Sequence, residues 1–382
     1  MNVLYITNNA KLYGGNHAML AMILDLREQY GINPTVLLLE EGDLTTRLKA
    51  LNINYIVQPF AGCFVEKGKN KFRPLLYYFR MNYKAIKLLK EKIIKMECFE
   101  IIHTNTSVID IGYFLSKYLG VKHIWHIREV GDHYNIRPLL PKSIFKYQLN
   151  QANAIITISK FVKNVIHLKY HIDGNLELVY DGVLPNSDYV KCEDNSNDKL
   201  QFCMVGLISD KKNQLDVIQA VNQLSIQFKN QFEITFVGEG KETYQCLQEY
   251  IQQENLMDYV KLLGYQKEVY PILESMDVGI MASECEAFGR TTVEYMMHYM
   301  PVIASRSGAN LELVQEDVNG LIFDNHDVNG IVKCMQYCLE NREKVCEMGK
   351  NAHEFAMERF TTKMNTDDIY RVYREISGDK IL

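Results

Sequence analysis

Long apolar runs, paired cysteines and paired aspartates are all missing from the 382-residue sequence, and each absence closes off a class of protein. No apolar stretch approaches the ~18 residues that a membrane-spanning helix requires. The opening Met1-Asn2-Val3-Leu4-Tyr5-Ile6-Thr7 has neither the basic leader nor the apolar core of a secretory signal, and reads as a strand from the start. Nine cysteines are scattered without any C-x-x-C spacing, which excludes a zinc module and suits a reducing compartment. Asp-x-Asp, the usual carboxylate pair for a nucleotide-bound divalent metal, occurs nowhere. Only 8 Pro and 22 Gly leave no room for low-complexity tracts, so the chain is folded. The 42 Lys and Arg against 47 Asp and Glu give a formal net charge of −5, which excludes a bulk nucleic-acid binder. Together these features lead us to expect a cytoplasmic protein, free or peripheral at the inner face of a membrane.

The charge is uneven. Between Glu66 and Lys95 ten Lys or Arg stand against two Glu, a local +8 that leaves −13 for the rest of the chain. The segment interleaves Lys67, Lys69, Lys71, Arg73, Arg80, Lys84, Lys87, Lys90, Lys92 and Lys95 with Phe72, Leu75, Leu76, Tyr77, Tyr78 and Phe79. An amphipathic helix with a solvated basic face explains this pattern as simply as a patch that docks on anionic lipid, where each basic residue contributes ~1 kcal/mol. Both readings stand on the sequence.

A single hydrophobic core rarely grows past roughly 250–300 residues, so this length implies two domains. Short apolar runs alternate with helical stretches throughout, the pattern of parallel sheets covered by helices. Strands are expected at Val3–Thr7, Thr35–Leu39, Tyr55–Gln58, Ile101–His103, His123–Ile127 and Ala154–Ile158, with helices such as Ala18–Tyr30, Tyr77–Lys95 and Lys160–Lys169 between them. A polar tract from Pro185 to Leu200 is the best linker candidate. The pattern then restarts, with strands at Gln201–Val205, Glu233–Val237, Val260–Leu263, Val278–Met281, Pro301–Ala304 and Leu321–Phe323. The fold class is therefore α/β, with two Rossmann-like doubly wound domains, and ligands belong at the strand-to-helix turns.

Three turns stand out. Asn8 to His17 carries Gly14-Gly15, which permits close backbone approach or positive φ before a helix whose free N–H groups can hold phosphate. A bland glycine-rich loop fits it equally well. In Val205 to Asn213, Gly206 permits close approach, and Lys211 and Lys212 put positive charge at a helix start, which the helix dipole disfavours unless an anion binds. The third turn, Ser283 to Arg290, follows a strand and opens a helix expected over Thr291–Tyr299. Gly289, Arg290 and Thr291 offer N–H groups to an anion, Arg290 is a second partner, and Glu286 and Glu294 flank them eight residues apart. Carboxylates on both sides of an anion site suit a nucleotide sugar, whose hydroxyls flank a diphosphate. Taken singly, Glu294 fits a surface helix position and Glu286 a cap. His103 and His126 stand near strand ends, where a histidine is either a bonded structural residue or a ligand.

These segments, in this order, resemble the family 4 glycosyltransferases of the GT-B fold, retaining enzymes with two Rossmann-like domains facing an interdomain cleft. The resemblance spans nearly the whole chain. It rests on Gly14-Gly15, Trp125-His126-Ile127-Arg128-Glu129, Ile155 to Val162, Val179 to Val183, Val205 to Asn213, Val237 to Gly240 and Leu263-Gly264-Tyr265. It continues through the E-x7-E run Glu286 to Glu294 and Gly308 to Glu312. The resemblance implies an acceptor-binding domain over 1–184, joined by a C-terminal helix at 361–382, and a donor-binding domain over 198–360. Glu286 would hold the donor hexose and Glu294 the ribose, and the turn through Phe288, Gly289, Arg290 and Thr291 would receive the diphosphate. Lys212 would neutralise the leaving group, Gly14, Gly15 and Gly206 would border the phosphates, Gly264 and Tyr265 would lie near the base, and His126 would face the sugar. No metal or other cofactor is implied, because cations and helix N-termini stabilise the departing diphosphate.

The implied partners are a nucleotide sugar, with UDP the expected nucleotide, and a saccharide or lipid-linked saccharide acceptor read by loops 60–82 and 129–145. One position departs from the family pattern: Leu207 stands where an Arg usually follows the Val-Gly of the second turn. Arg290 is the candidate replacement cation. The alternative is a non-catalytic partner subunit of the same fold that binds a nucleotide sugar without turning it over. A related epimerase or phosphorylase is disfavoured by the E-x7-E run and by the short chain.

Overall fold

The computed structural model describes residues 1–94, 98–129, 135–172, 174–185, 199–228 and 230–378. Most of the linker candidate, 186–198, lies outside the described residues, as do Lys95, Cys192 and residues 130–134 of one expected acceptor loop. The chain divides into two compact units, Met1–Gly182 with Thr362–Leu382, and Val183–Thr361.

The first unit is built on β1 (Asn2–Ile6), β2 (Asn33–Leu38), β3 (Asn54–Val57), β4 (Phe64–Glu66), β5 (Ile101–Thr104), β6 (Lys122–Ile127), β7 (Ile136–Pro138), β8 (Ala154–Thr157) and β9 (Leu176–Leu178). Seven of these form a parallel sheet in the order β3-β2-β1-β5-β6-β8-β9, and β4 pairs antiparallel with β7. Helices cover both faces, so successive strand residues enter different cores. Val3, Tyr5, Val36, Ile101 and Ile124 pack in one cluster, while Leu4, Ile6, Leu37, Ile56 and Ile102 pack in another. This two-sided burial is why the strands read as continuous apolar runs rather than alternating ones.

The second unit carries β10 (Leu200–Val205), β11 (Phe232–Val237), β12 (Val260–Leu262), β13 (Val278–Met281), β14 (Val302–Ser305) and β15 (Gly320–Phe323), in the parallel order β12-β11-β10-β13-β14-β15. Phe202, Phe236, Ile280 and Ile303 join residues of the Gln214–Gln227 and Val328–Glu340 helices in its core.

The C-terminal helix, Thr362–Ser377, packs in the first unit rather than the second. Ile369, Val372 and Tyr373 enter the cluster of Val3 and Tyr5, and the Tyr370 ring stacks on Tyr30 at 3.9 Å. Asn365 donates to the Tyr180 carbonyl at 2.6 Å.

The strands lie where the apolar runs put them, within a residue or two. Three were not anticipated, β4, β7 and β9, each only three residues long. The first helix begins at Gly14, four residues before the expected Ala18, because glycine and asparagine carry no apolar periodicity to mark a helical turn. Gly14 and Gly15 are therefore first-turn helical residues and not loop residues ahead of the helix.

Candidate functional site

In a doubly wound sheet the strand order reverses at one point, and the loops leaving the two strands there diverge to leave a crevice at the carboxyl ends. The reversals fall between β1 and β5 in the first unit and between β10 and β13 in the second. The singled-out turns occupy these places. Asn8 to Gly15 leaves β1, Gly206 to Asn213 leaves β10, and Ser283 to Gly289 leaves β13.

In the second unit the two loops are tied together. Glu284 N–H donates to the Lys211 carbonyl at 2.9 Å, and the Asn213 side chain, its backbone left-handed at φ 56°, donates to the Ala282 carbonyl at 2.8 Å. This brings Lys212 Nζ to 2.5 Å from Glu286 Oε1, across 74 positions of sequence. Both side chains keep some access to solvent, 30% for Lys212 and 16% for Glu286. The Glu286 backbone is clamped from the loop after β14. Ala309 N–H donates to its carbonyl at 2.9 Å, and a Cβ on Gly308, at φ 53°, would stand 2.3 Å from that oxygen.

The helix Arg290–Met297 starts beside this pair. Gly289 is its N-cap at φ 99°, a conformation that suits glycine. No side chain caps the helix and no acidic residue stands in its first turn, so its amide ends keep their positive potential. The same holds for Gly14–Tyr30 in the first unit. Arg290 lies 4.0 Å from Glu294 one turn on. Thr291 is half-buried. The Phe288 ring turns inward against Phe360 at 5.6 Å, so this turn presents the residue's backbone and not its side chain. Gly206 and Gly238 hold φ near 150°, and a Cβ on Gly238 would strike the Gly206 carbonyl at 1.9 Å. Gly264, at φ 66°, accepts from Gly238 N–H at 2.8 Å, and Tyr265 beside it is exposed. Leu207 is an exposed apolar residue.

In the first unit, a cavity of about 650 Å³ opens at the reversal. Asn8, Tyr13, Gly15, Asn105, Arg128 and Glu129 are among its lining residues. A Cβ on Gly14 would meet nothing within 4 Å and one on Gly15 only the Arg128 side chain at 3.7 Å, so the glycines leave open space rather than relieve a clash. Asn16 fixes the preceding loop by accepting from Thr7 at 2.7 Å and donating to the Lys11 carbonyl at 2.7 Å. The Arg128 guanidinium, nearly buried, pairs with Asp181 and donates to Asn105 at 2.7 Å. Burial pushes the Glu129 carboxyl up, against the pull of the Thr106 hydroxyl and two backbone N–H donors. Arg128 and Asp181 lie in segments that carry the resemblance, but neither they nor Asn105 were assigned a role in the sequence, since nothing in their spacing joins them.

His126 is fully enclosed, with Nδ1 3.0 Å from His103 Nε2. It does not reach the surface of the described structure. Burial, with the Arg128 charge adding to it, holds both imidazoles well below the usual histidine range and therefore neutral.

Residues 28–186 match the family described as Glycosyltransferase Family 4, and residues 189–355 match the family described as Glycosyl transferases group 1. The chain belongs to the family 4 glycosyltransferases. An uncharacterized glycosyltransferase of Methanocaldococcus jannaschii is 27% identical over 80% of this chain and 83% of its own length. The N-acetyl-alpha-D-glucosaminyl L-malate synthase of Bacillus anthracis is 22% identical over 62% of this chain and 63% of its own length. Among solved structures, Anabaena HepE in complex with UDP superposes with a TM-score of 0.81 at 19% identity, covering 98% of this chain and all of that one. Staphylococcus aureus TarM, solved with UDP and saccharide ligands, gives 0.74 at 13% identity over 97% and 99%. The glycosyltransferase thus has the GT-B fold, and the sheets described above are its two Rossmann-like domains.

Glu294 gives this site a measurable pH dependence. Surrounding protein pushes its carboxyl above the ordinary 4.5, and the Arg290 charge only partly offsets this, although about a fifth of the side chain stays exposed. The unfolded carboxyl ionises first, so as pH rises between the two pKa values the folded state holds more protons and loses stability. Glu294→Gln should remove that cost. Urea midpoints taken across pH 4 to 8 should separate above about pH 4.5 in favour of the variant. A wild-type advantage that grows with pH would show that pairing with Arg290 outweighs desolvation.

Proposed function

We propose that this glycosyltransferase transfers a hexosyl unit, with retention, from a UDP-sugar to a saccharide or lipid-linked saccharide in cell-surface polysaccharide or glycoconjugate synthesis. The observation that carries the reading is the Lys212–Glu286 pair at 2.5 Å beside the uncapped, Gly289-initiated helix at the second unit's strand reversal. The amide ends of Gly289, Arg290 and Thr291 take the diphosphate, and Glu286 accepts from hexose hydroxyls. Lys212 then has two partners, the carboxylate and the phosphate, and neutralises charge that grows as the glycosidic C–O bond breaks. The acceptor oxygen forms its bond to the anomeric carbon on the same face, and its proton passes to the departing phosphate oxygen. Glu294 holds the ribose, Gly206 leaves room for the phosphates, and Gly264 with Tyr265 lies by the base. Arg290 supplies the cation that Leu207 does not.

In the first unit, the polar lining of the cavity at the strand reversal suits the acceptor. Charge stabilisation comes from Lys212, Arg290 and backbone amides, so no metal is required. Anabaena HepE was solved with UDP-glucose as well as with UDP, and we carry that nucleotide over as a proposal.

Incubation with a panel of UDP-sugars should release UDP from at least one, and EDTA should leave the rate unchanged. A saturating donor at 100 times its dissociation constant should add about 2.7 kcal/mol of apparent stability. Lys212→Ala should lower kcat by about 10²–10³-fold with a smaller change in KM. Stabilisation without UDP release would instead mark a non-catalytic binding subunit.

The basic segment supports membrane docking as part of this reading. Its helix, Phe72–Ile94, buries Tyr78, Asn82, Ala85 and Leu89 and exposes Phe72, Leu76, Tyr77, Phe79 and Tyr83 among Arg73, Arg80, Lys84 and Lys87. Aromatic rings interleaved with cations on an exposed face match an anionic interface better than bulk water. Lys71 is not part of this face, since it donates to the Pro138 carbonyl at 2.6 Å. Sedimentation with vesicles should increase with phosphatidylserine content, and replacing Arg80, Lys84 and Lys87 by Gln should weaken binding by about 3 kcal/mol. Sedimentation independent of anionic lipid would leave the ordinary solvated helix.

A further inference from the structure

The two loops expected to read the acceptor meet in the first unit. One contributes β4 and the other β7, and these strands pair antiparallel as a ribbon outside the seven-stranded sheet. Leu139 N–H extends the pairing by donating to the Cys63 carbonyl at 2.8 Å. Cys63 N–H in turn donates to the Val108 carbonyl at 2.8 Å, which fastens the ribbon to the loop leaving β5. The register sets Phe64 opposite Pro138 and Glu66 opposite Ile136, so Phe64 and Ile136 share one face while Val65 and Arg137 take the other. Phe64 and Ile136 both line the cavity at the strand reversal, and the Phe64 ring packs edge-on against Phe145 at 5.3 Å. Glu66 is on their face but pairs with Lys69 and is not part of the lining.

The lining is therefore of two kinds. Asn105 and Glu129 supply polar groups, while Leu39, Phe64, Val108 and Ile136 supply hydrocarbon. A sugar rim set against those four residues would leave its hydroxyls unpaired, whereas an alkyl group there removes apolar surface from water on both sides. Charge narrows the choice further. Arg128 and Glu129 are the charged members of the lining among the described residues. The Arg128 guanidinium is already paired with Asp181 and bonded to Asn105, and the Glu129 carboxyl opposes a second anion. The ribbon's own cations are engaged elsewhere. Arg137, on the opposite face, donates to the Lys69 carbonyl at 3.0 Å, and Lys71 donates to the Pro138 carbonyl at 2.6 Å.

Resting on the reading of the first unit as the acceptor side, we propose that this cavity takes an uncharged sugar carrying an alkyl group, and that Phe64 and Ile136 set this specificity. The sugar bonds to Asn105 and the neighbouring polar groups, and the alkyl group lies against the ribbon. A phosphorylated or carboxylated sugar is disfavoured, because its charge would be desolvated beside Glu129 with the nearest guanidinium already neutralised.

Ligand-observed NMR titrations of the full chain, at neutral pH and without donor, test this. The probes are octyl and methyl glycosides of glucose, galactose and N-acetylglucosamine, with octyl glucuronide and octyl galacturonide, all below their micelle concentrations. At least one octyl glycoside should bind about tenfold or more tighter than its methyl counterpart, and tighter than either octyl uronide. Phe64→Ala and Ile136→Asn should each reduce that octyl preference about threefold or more. If Phe64→Ala does not fold, Ile136→Asn decides. Absence of any octyl preference, equal or tighter binding of an octyl uronide, or a preference that survives both substitutions overturns the proposal. No donor is present in these titrations, so a chain that released no UDP from any UDP-sugar would sink the functional reading and leave the octyl preference measurable.

Discussion

Parallel pairing is the constraint on which the rest of this molecule depends. Parallel neighbours cannot be joined by a hairpin, so successive strands of the two main sheets are joined by crossovers, and their strand-to-helix turns collect at the carboxyl edge. Where the order reverses, between β10 and β13, two loops far apart in sequence are forced side by side. The Lys212–Glu286 contact exists because β10 and β13 are neighbours, and the backbone bond from Glu284 to Lys211 fixes the separation of the loops. Glycine and uncapped helix starts complete the arrangement with positive potential that nothing in the helix's own first turn offsets.

The first unit uses the same edge differently. Its reversal holds a cavity lined by asparagines, Arg128 and Glu129, and just beneath it the core admits an ion pair, two imidazoles and two phenols. Such groups stabilise a fold only when their hydrogen bonds are satisfied, and an unsatisfied member is costly. Among the described residues of this unit, two buried imidazole nitrogens have no hydrogen-bond partner, His123 Nδ1 and His126 Nε2. The C-terminal helix contributes Tyr373 to the network, so the first unit's polar core depends on a residue 270 positions away from His103.

Much of this was legible in the sequence because two-sided burial turns strands into short apolar runs. The turns after β10 and β13 were found from glycine, lysine and glutamate in that setting, and the family resemblance rests on them. Residue patterns could not show which loops meet. Glu286 and Lys212 are 74 positions apart, and His103 and Tyr373 are 270 apart. Gly14 and Gly15 read as loop because glycine hides the start of a helix, although the helix begins there. Phe288 read as part of a ligand turn, but its ring is in the core, since residue type alone does not set side-chain direction. β4, β7 and β9 are too short for any periodicity, and Arg128 was one cation among many until its partners Asn105 and Asp181 were in view.

The central claim is that the second unit's strand reversal binds the nucleotide diphosphate. Hydrogen exchange on the intact chain, with and without saturating UDP, tests it most directly, because bound phosphate protects the amides it engages. Protection is predicted at residues 206–213 and 286–294, with the amides of Gly289, Arg290 and Thr291 slowed most. Binding of UDP with protection confined to other segments, or no binding at all, would contradict it.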